Sequence, residues 1–124
     1  MSTPEDNAPW PTEIRVDRQE KRLSVTFDNG DNFTLPAELL RVESPSAEVQ
    51  GHGPGQKVIL AGRRHVGIMD VEPVGNYAIK IQFDDMHDTG IYSFAYLHFL
   101  GMKQETLWQT YLDALEKQGL SRNP

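Results

Sequence analysis

The chain has 124 residues, with 12 Lys and Arg against 18 Asp and Glu, four His and no cysteine, so its formal charge is −6. That length suits one domain with a modest core, and the lack of cysteine excludes disulfides, thiolate zinc sites, Cys-ligated iron–sulfur clusters and a thiol nucleophile. The negative balance argues against general nucleic-acid binding, no apolar run approaches the ~18 residues of a membrane span, and the acidic, proline-containing opening is unlike a signal peptide; a cytoplasmic protein with no membrane partner is expected.

Residues 1–11 carry Pro4, Pro9 and Pro11 with few apolar side chains, predicting a flexible N-terminal arm anchored at Trp10. From Glu13 the pattern alternates: Ile14 and Val16, then Leu23, Val25 and Phe27, then Phe33 and Leu35 share one face, as in a three-stranded meander. The charged run Arg18 to Arg22 makes the first turn, and Asp28-Asn29-Gly30-Asp31 makes the second, where Asn-Gly supplies the positive φ of a tight hairpin. Pro36 to Leu40 fits one helical turn, because proline suits a helix start. Residues 43–57, ESPSAEVQGHGPGQK, show no period and read as a long irregular loop, a place where function concentrates.

Two more strands are expected over His65–Val71 and Tyr77–Phe83, with Glu72 to Asn76 as the turn between them. In the second, Tyr77, Ile79, Ile81 and Phe83 form a dry face opposite Lys80 and Gln82. After the polar turn 84–90, Ile91-Tyr92 resumes an extended path, and Ser93 is a natural N-cap for a helix over Phe94–Leu100 that Gly101 stops. Leu107, Trp108, Tyr111, Leu112 and Leu115 then make one apolar stripe on a helix over Lys103–Gln118, closed by Gly119 and needing a sheet to lie on. Strands first and helices late predict a two-layer α+β fold, an antiparallel β-sheet of short strands packed against C-terminal helices. The expected organisation is an arm at 1–11, one domain at 12–119 and a flexible tail at 120–124.

Three groups of residues carry candidate chemistry. GHGPGQKV (51–58) has the glycine density of a phosphate loop, but Gln56 and Val58 stand where a P-loop needs Gly and Ser or Thr, so nucleotide hydrolysis is rejected. What survives is a contact surface, for a protein partner or a small anion, made of Gly53 and its neighbours with Lys57, Arg63, Arg64 and Arg41; the plain alternative is a tight turn among solvated charges. Asp84, Asp85, His87 and Asp88 hold three carboxylates and an imidazole within five residues, and with His52 from the preceding loop they match a weak Fe or Zn site; a polar turn explains the same string. His65 and His98 read as structural. Ser44, Ser46 and Ser93 lack the G-x-S-x-G setting, so no motif supports catalysis and the chain is read as a non-enzyme.

The stretches PTEIRVDRQEKRLSVTFDNGDNFTLPAELLR (11–41), LLRVESPSAEVQGHGPGQ (39–56) and VEPVGNYAIKIQFDDMHDTGIYSFAYLHFLG (71–101), in this order and spacing, resemble the gamma-butyrobetaine hydroxylase-like N-terminal domain family over about residues 11–118. That family includes small stand-alone bacterial proteins, amino-terminal domains of Fe(II)/2-oxoglutarate hydroxylases and domains fused to iron–sulfur scaffold ATPases. The resemblance implies an accessory domain that contributes to subunit association, here a protein-interaction module linked to iron–sulfur assembly or oxygenase systems and forming a homodimer. It also implies a structural zinc site of three cysteines, Cys-Pro-Cys-x-x-Cys, and one histidine. Those positions fall on Ser44, Ser46, Val49 and His87, so only the histidine is present and the thiolate site is expected to be absent. The oxygenase domain itself finds no room in 124 residues, so the hydroxylase activity is not expected.

Overall fold

The computed structural model describes residues 9–51, 55–87 and 90–124. Strands β1 (Pro11–Asp17), β2 (Arg22–Phe27) and β3 (Asn32–Pro36) pair antiparallel in that order, with Val25 opposite both Ile14 and Phe33. Leu23, Val25 and Phe27 are buried, as their period of two demands. Helix α1 (Ala37–Val42) follows directly from Pro36.

The segment read as an irregular loop contains a single helical turn, α2 (Ala47–Gln50), entered from Ser46 and left at Gly51. Gly51 has a φ of +74°, and a Cβ there would lie 2.6 Å from the Gln56 side chain and carbonyl oxygen, so glycine is required by a tight reversal of the chain.

A second antiparallel sheet contains β4 (Ile68–Val74), β5 (Ala78–Phe83) and β6 (Gly90–Ser93) in sequence order. The expected single sheet is therefore two small ones, and the first strand of the second lies three residues later than its pattern suggested. Pro73, read as a turn residue, sits inside β4 opposite Ile79. It is tolerated because β4 is an edge strand with one side free of ladder bonds. The turn then falls on Gly75 to Tyr77, which takes Tyr77 out of the dry face and leaves it 55% exposed.

Both sheets and α1 face a common core with helix α3 (Phe94–Met102), whose Leu97 and Leu100 are buried among Phe27, Leu35, Leu40, Ile81, Phe83 and Tyr92. Ser93 caps α3 by accepting from the Tyr96 amide at 3.0 Å. Helix α4 (Gln104–Lys117) packs Leu107 and Trp108 against the main core and donates from Gln104 to the Thr34 carbonyl of β3, while its buried Tyr111 and Leu115 pack with Val42 and the segment Ile59–Ala61 in a satellite cluster. It ends in a Schellman arrangement, Leu120 N donating to Leu115 O and Gly119 N to Glu116 O. Residues 120–124, expected as a tail, are tied back by Ser121 and Arg122 carbonyls that accept from Gly62 and Arg64, and by a bidentate Arg122–Glu38 pair at 2.7 and 2.8 Å. Trp10 does anchor the start, edge-on to Phe94 at 5.2 Å.

Candidate functional site

The residues with chemical potential gather where the segment after α1 meets the turn between β5 and β6. His87 is buried there, with Nε2 at 2.9 Å from Ser44 Oγ and 3.5 Å from Ser46 Oγ, and Nδ1 at 3.2 Å from Glu48 Oε2. A carboxylate only accepts, so Nδ1 carries the proton toward Glu48, and in the neutral imidazole the Nε2 lone pair takes the Ser44 hydroxyl. Ser44 Oγ lies 3.2 Å from Ser46 Oγ, and the Ser44 carbonyl accepts from Gln50 Nε2 at 2.9 Å. The turn contributes a second tie: Asp85 Oδ2 accepts from Arg41 Nε at 2.7 Å, and Asp85 Oδ1 takes the His87 amide at 3.3 Å. Burial works against the Asp85 charge, but the Arg41 hydrogen bond and charge, the His87 amide and Arg63 outweigh it and hold the carboxyl below its usual range.

This places the candidates differently from their spacing in the chain. His87 and Asp85 share the cluster, whereas Asp84 turns away and accepts from the Gly67 amide at 2.9 Å. His52, Gly53 and Asp88 lie outside the described residues. Among the described residues, no three His, Asp or Glu side chains converge as a metal would need. Of the cationic set, Arg41 is buried rather than presented at the surface, with its Nη1 unpartnered among the described residues. Arg63 Nε lies 2.9 Å from the same Asp85 oxygen, out of line for a hydrogen bond, and Lys57 pairs with the buried Glu43 carboxylate. Arg64 is exposed and reaches Asn123 Oδ1 at 2.9 Å.

Ser44, His87 and Glu48 also have the connectivity of a hydrolytic triad, an arrangement that spacing could not reveal. Ser44, however, is fully buried, so its hydroxyl offers no face to a substrate. Glu48 carried no signal in the sequence, because its relation to His87 spans 39 residues and exists only after folding.

Beside this cluster opens a groove of about 390 Å³, lined by Pro45, Tyr77, Ile91, Ser93, Ala95 and Tyr96. Two large apolar side chains of its lining are open to solvent, Tyr77 at 55% and Ile91 at 44% exposure, and the lining residue Tyr96 stacks with the exposed Phe99, ring centroids 5.9 Å apart. Tyr96 donates to the Glu43 carbonyl at 2.6 Å, which joins the groove lining to the segment after α1, and the buried Tyr92 donates to the Leu40 carbonyl within α1. Burial pushes both hydroxyls well above the ordinary tyrosine value, with the Glu43 charge adding to it. Tyr77 was expected in the core; the shifted turn is what frees it.

A family model described as gamma-butyrobetaine hydroxylase-like, N-terminal, matches residues 14–98, and the chain belongs to this family. Among solved structures, it is similar to two proteins determined by NMR in solution. One is 43% identical, over 95% of this chain and 93% of that chain, and the other 46% identical, over 100% and 92%; both have a TM-score of 0.83. It is also similar to a crystal structure of a DUF971 family protein of unknown function from Acidithiobacillus ferrooxidans ATCC 23270, with 35% identity, 81% and 98% coverage and a TM-score of 0.64. None of the curated proteins compared with the chain matches it. Among the described residues no helix is long and apolar enough to cross a membrane.

The four positions onto which the resemblance carries a zinc site do not fit that metal. Serine hydroxyls are poor zinc ligands, Val49 is none, and the His87 lone pair that would coordinate is taken by Ser44.

Proposed function

We propose that the chain is a non-enzymatic cytoplasmic recognition module that binds a protein partner through the groove between Pro45, Tyr77, Ile91 and Tyr96. The observation that carries this reading is the exposure of two large apolar side chains in the groove lining, Tyr77 and Ile91, with the exposed Phe99 stacked on the lining residue Tyr96. Large apolar side chains grouped at a surface are paid for in solubility unless something covers them, and aromatic anchors in a shallow groove are how protein interfaces concentrate their energy. The cationic set adds little direct attraction, because Arg41, Arg63 and Lys57 face carboxylates of the same chain. Arg64 is the exposed cation of that set, and it pairs with Asn123 rather than with a carboxylate. The partner belongs to the iron–sulfur or oxygenase systems in which the family's domains serve as accessories, and it presents an apolar side chain to the groove.

The test is affinity purification with quantitative mass spectrometry from the native cell, using wild type, Tyr77→Ala with Ile91→Ser, and Arg63→Glu with Arg64→Glu. A protein enriched by wild type, lost from the first double variant and retained by the second is the expected result. No enrichment above background, or enrichment untouched by the first variant, overturns the groove as the contact.

A further inference from the structure

We infer that the cluster of Ser44, Ser46, Glu48 and His87 is a metal-free hydrogen-bonded pin that positions one wall of the recognition groove. Ser44 and Ser46 flank Pro45, and both hydroxyls stand within 3.5 Å of the same imidazole nitrogen, while the Pro45 ring lines the groove. His87 has each of its ring nitrogens engaged, one with a hydroxyl and one with a carboxylate, so a neutral imidazole there has no unmet hydrogen-bonding capacity. Ser44 and His87 are buried while Glu48 reaches solvent; a buried polar group is costly when it is left unsatisfied, and His87 is satisfied without an ion.

Geometry gives the pin its reach. Its ties run between the segment 41–50 and the turn 84–87: Ser44 and Ser46 to His87, His87 to Glu48, and Arg41 to Asp85. The next residues after that turn in the described structure are β6, whose Ile91 forms another wall of the groove. Gly90 also stands close to the pin, since a Cβ there would lie 3.2 Å from Ser44 Oγ. These six side chains thus tie the segment that holds Pro45 to the turn 84–87, and Ser44 stands beside Gly90 at the start of the strand that carries Ile91. At positions where the family resemblance implies a thiolate-bound zinc, this chain accomplishes the fastening with hydroxyls, an imidazole and a carboxylate. Ser44, Ser46 and His87 are positioning residues: none of them is placed to touch the partner.

That the pin is metal-free stands independently of the proposed function; that it matters for recognition rests on that reading. The experiment therefore reads the pin on the isolated protein. Untagged full-length chain is assayed for bound metal by mass spectrometry, and its thermal melt is followed with and without EDTA, beside Ser44→Ala with Ser46→Ala and His87→Ala. Backbone amide NMR spectra report on Ile91 and Tyr77. The expected result is substoichiometric metal, a wild-type melt unchanged by EDTA, a fall in Tm of about 5 °C or more in both variants, and shifted Ile91 and Tyr77 amides in the serine double variant. Stoichiometric metal whose removal by EDTA lowers Tm overturns the inference, as do variants that melt with wild type. Should His87→Ala fail to fold, the chelator arm and the serine variant still decide. Partner capture is read on other variants by another assay, and metal content and the EDTA melt of wild type do not depend on its outcome, so failure of the pin and failure of the groove are separate results.

Discussion

Gly101 lies inside α3 rather than ending it, with the Phe33 ring only 2.2 Å from where a Cβ would stand. Two effects of opposite sign meet at this residue. Alanine in place of a helical glycine gains about 1 kcal/mol of helix propensity, whereas overpacking a closed contact costs about 1–3 kcal/mol. The aromatic ring belongs to a cluster with Phe27 and His98 and has little room to retreat, so Gly101→Ala should lower the urea midpoint; a raised midpoint would mean that Phe33 moves freely. Asp31 makes a second residue-scale case. His98 Nε2 stands 2.7 Å from its carboxylate, and this hydrogen bond, with one from Asn29, holds Asp31 below the usual aspartate value. A carboxyl lowered in the folded state stabilises the fold above its unfolded pKa of ~3.9, and that contribution is lost as the pH falls through the lower folded value. Asp31→Asn should therefore show a smaller decline in Tm than wild type between about pH 5 and pH 2.5. Identical declines would show that the His98 pair does not contribute.

The apolar stripe of the C-terminal helix serves two clusters, with Leu107 and Trp108 on the main core and the later residues on a satellite. Tyr111 and Leu115 bury against Val42 and residues 59–61, and Tyr111 donates to the Leu60 carbonyl at 2.6 Å, with burial pushing its hydroxyl up to about 12. The Schellman turn at Gly119 then sends the chain back so that Arg122 lies over the Trp108 ring at 5.1 Å and grips Glu38 on α1. This contact closes α4 onto α1. The carboxylate is buried and would be left unpaired if the arginine were removed, but the Arg122 side chain is 31% exposed, so water screens part of the interaction. Arg122→Ala should cost about 1–3 kcal/mol in chemical denaturation. A loss under about 0.5 kcal/mol, the range of ordinary surface substitutions, would show that the last residues do not secure the helix.

At the scale of the whole molecule, two three-stranded sheets and α1 and α3 share one core, and the groove and its pin occupy the join between the segment after α1 and the second sheet. Local chemistry made much of this readable in the sequence. Alternation at Leu23, Val25 and Phe27, Asn-Gly in the second hairpin, Ser93 as a cap and Gly119 as a stop are contained within a few neighbouring residues, and each appears where its pattern indicated. The same locality explains the failures. Pro73 in a strand depends on β4 being an edge, Gly101 within a helix depends on Phe33, and the exposure of Tyr77 depends on where the hairpin turns. The candidate site was legible only as separate strings: Ser44 and Ser46 in one, His87 and its aspartates in another. By itself the sequence determined the α+β class, most of the elements and the absence of thiolate chemistry, because propensity, periodicity and composition act over short range. Which imidazole nitrogen meets which hydroxyl and which arginine is buried were decided only by tertiary structure, because those outcomes depend on contacts between residues about 40 or more positions apart.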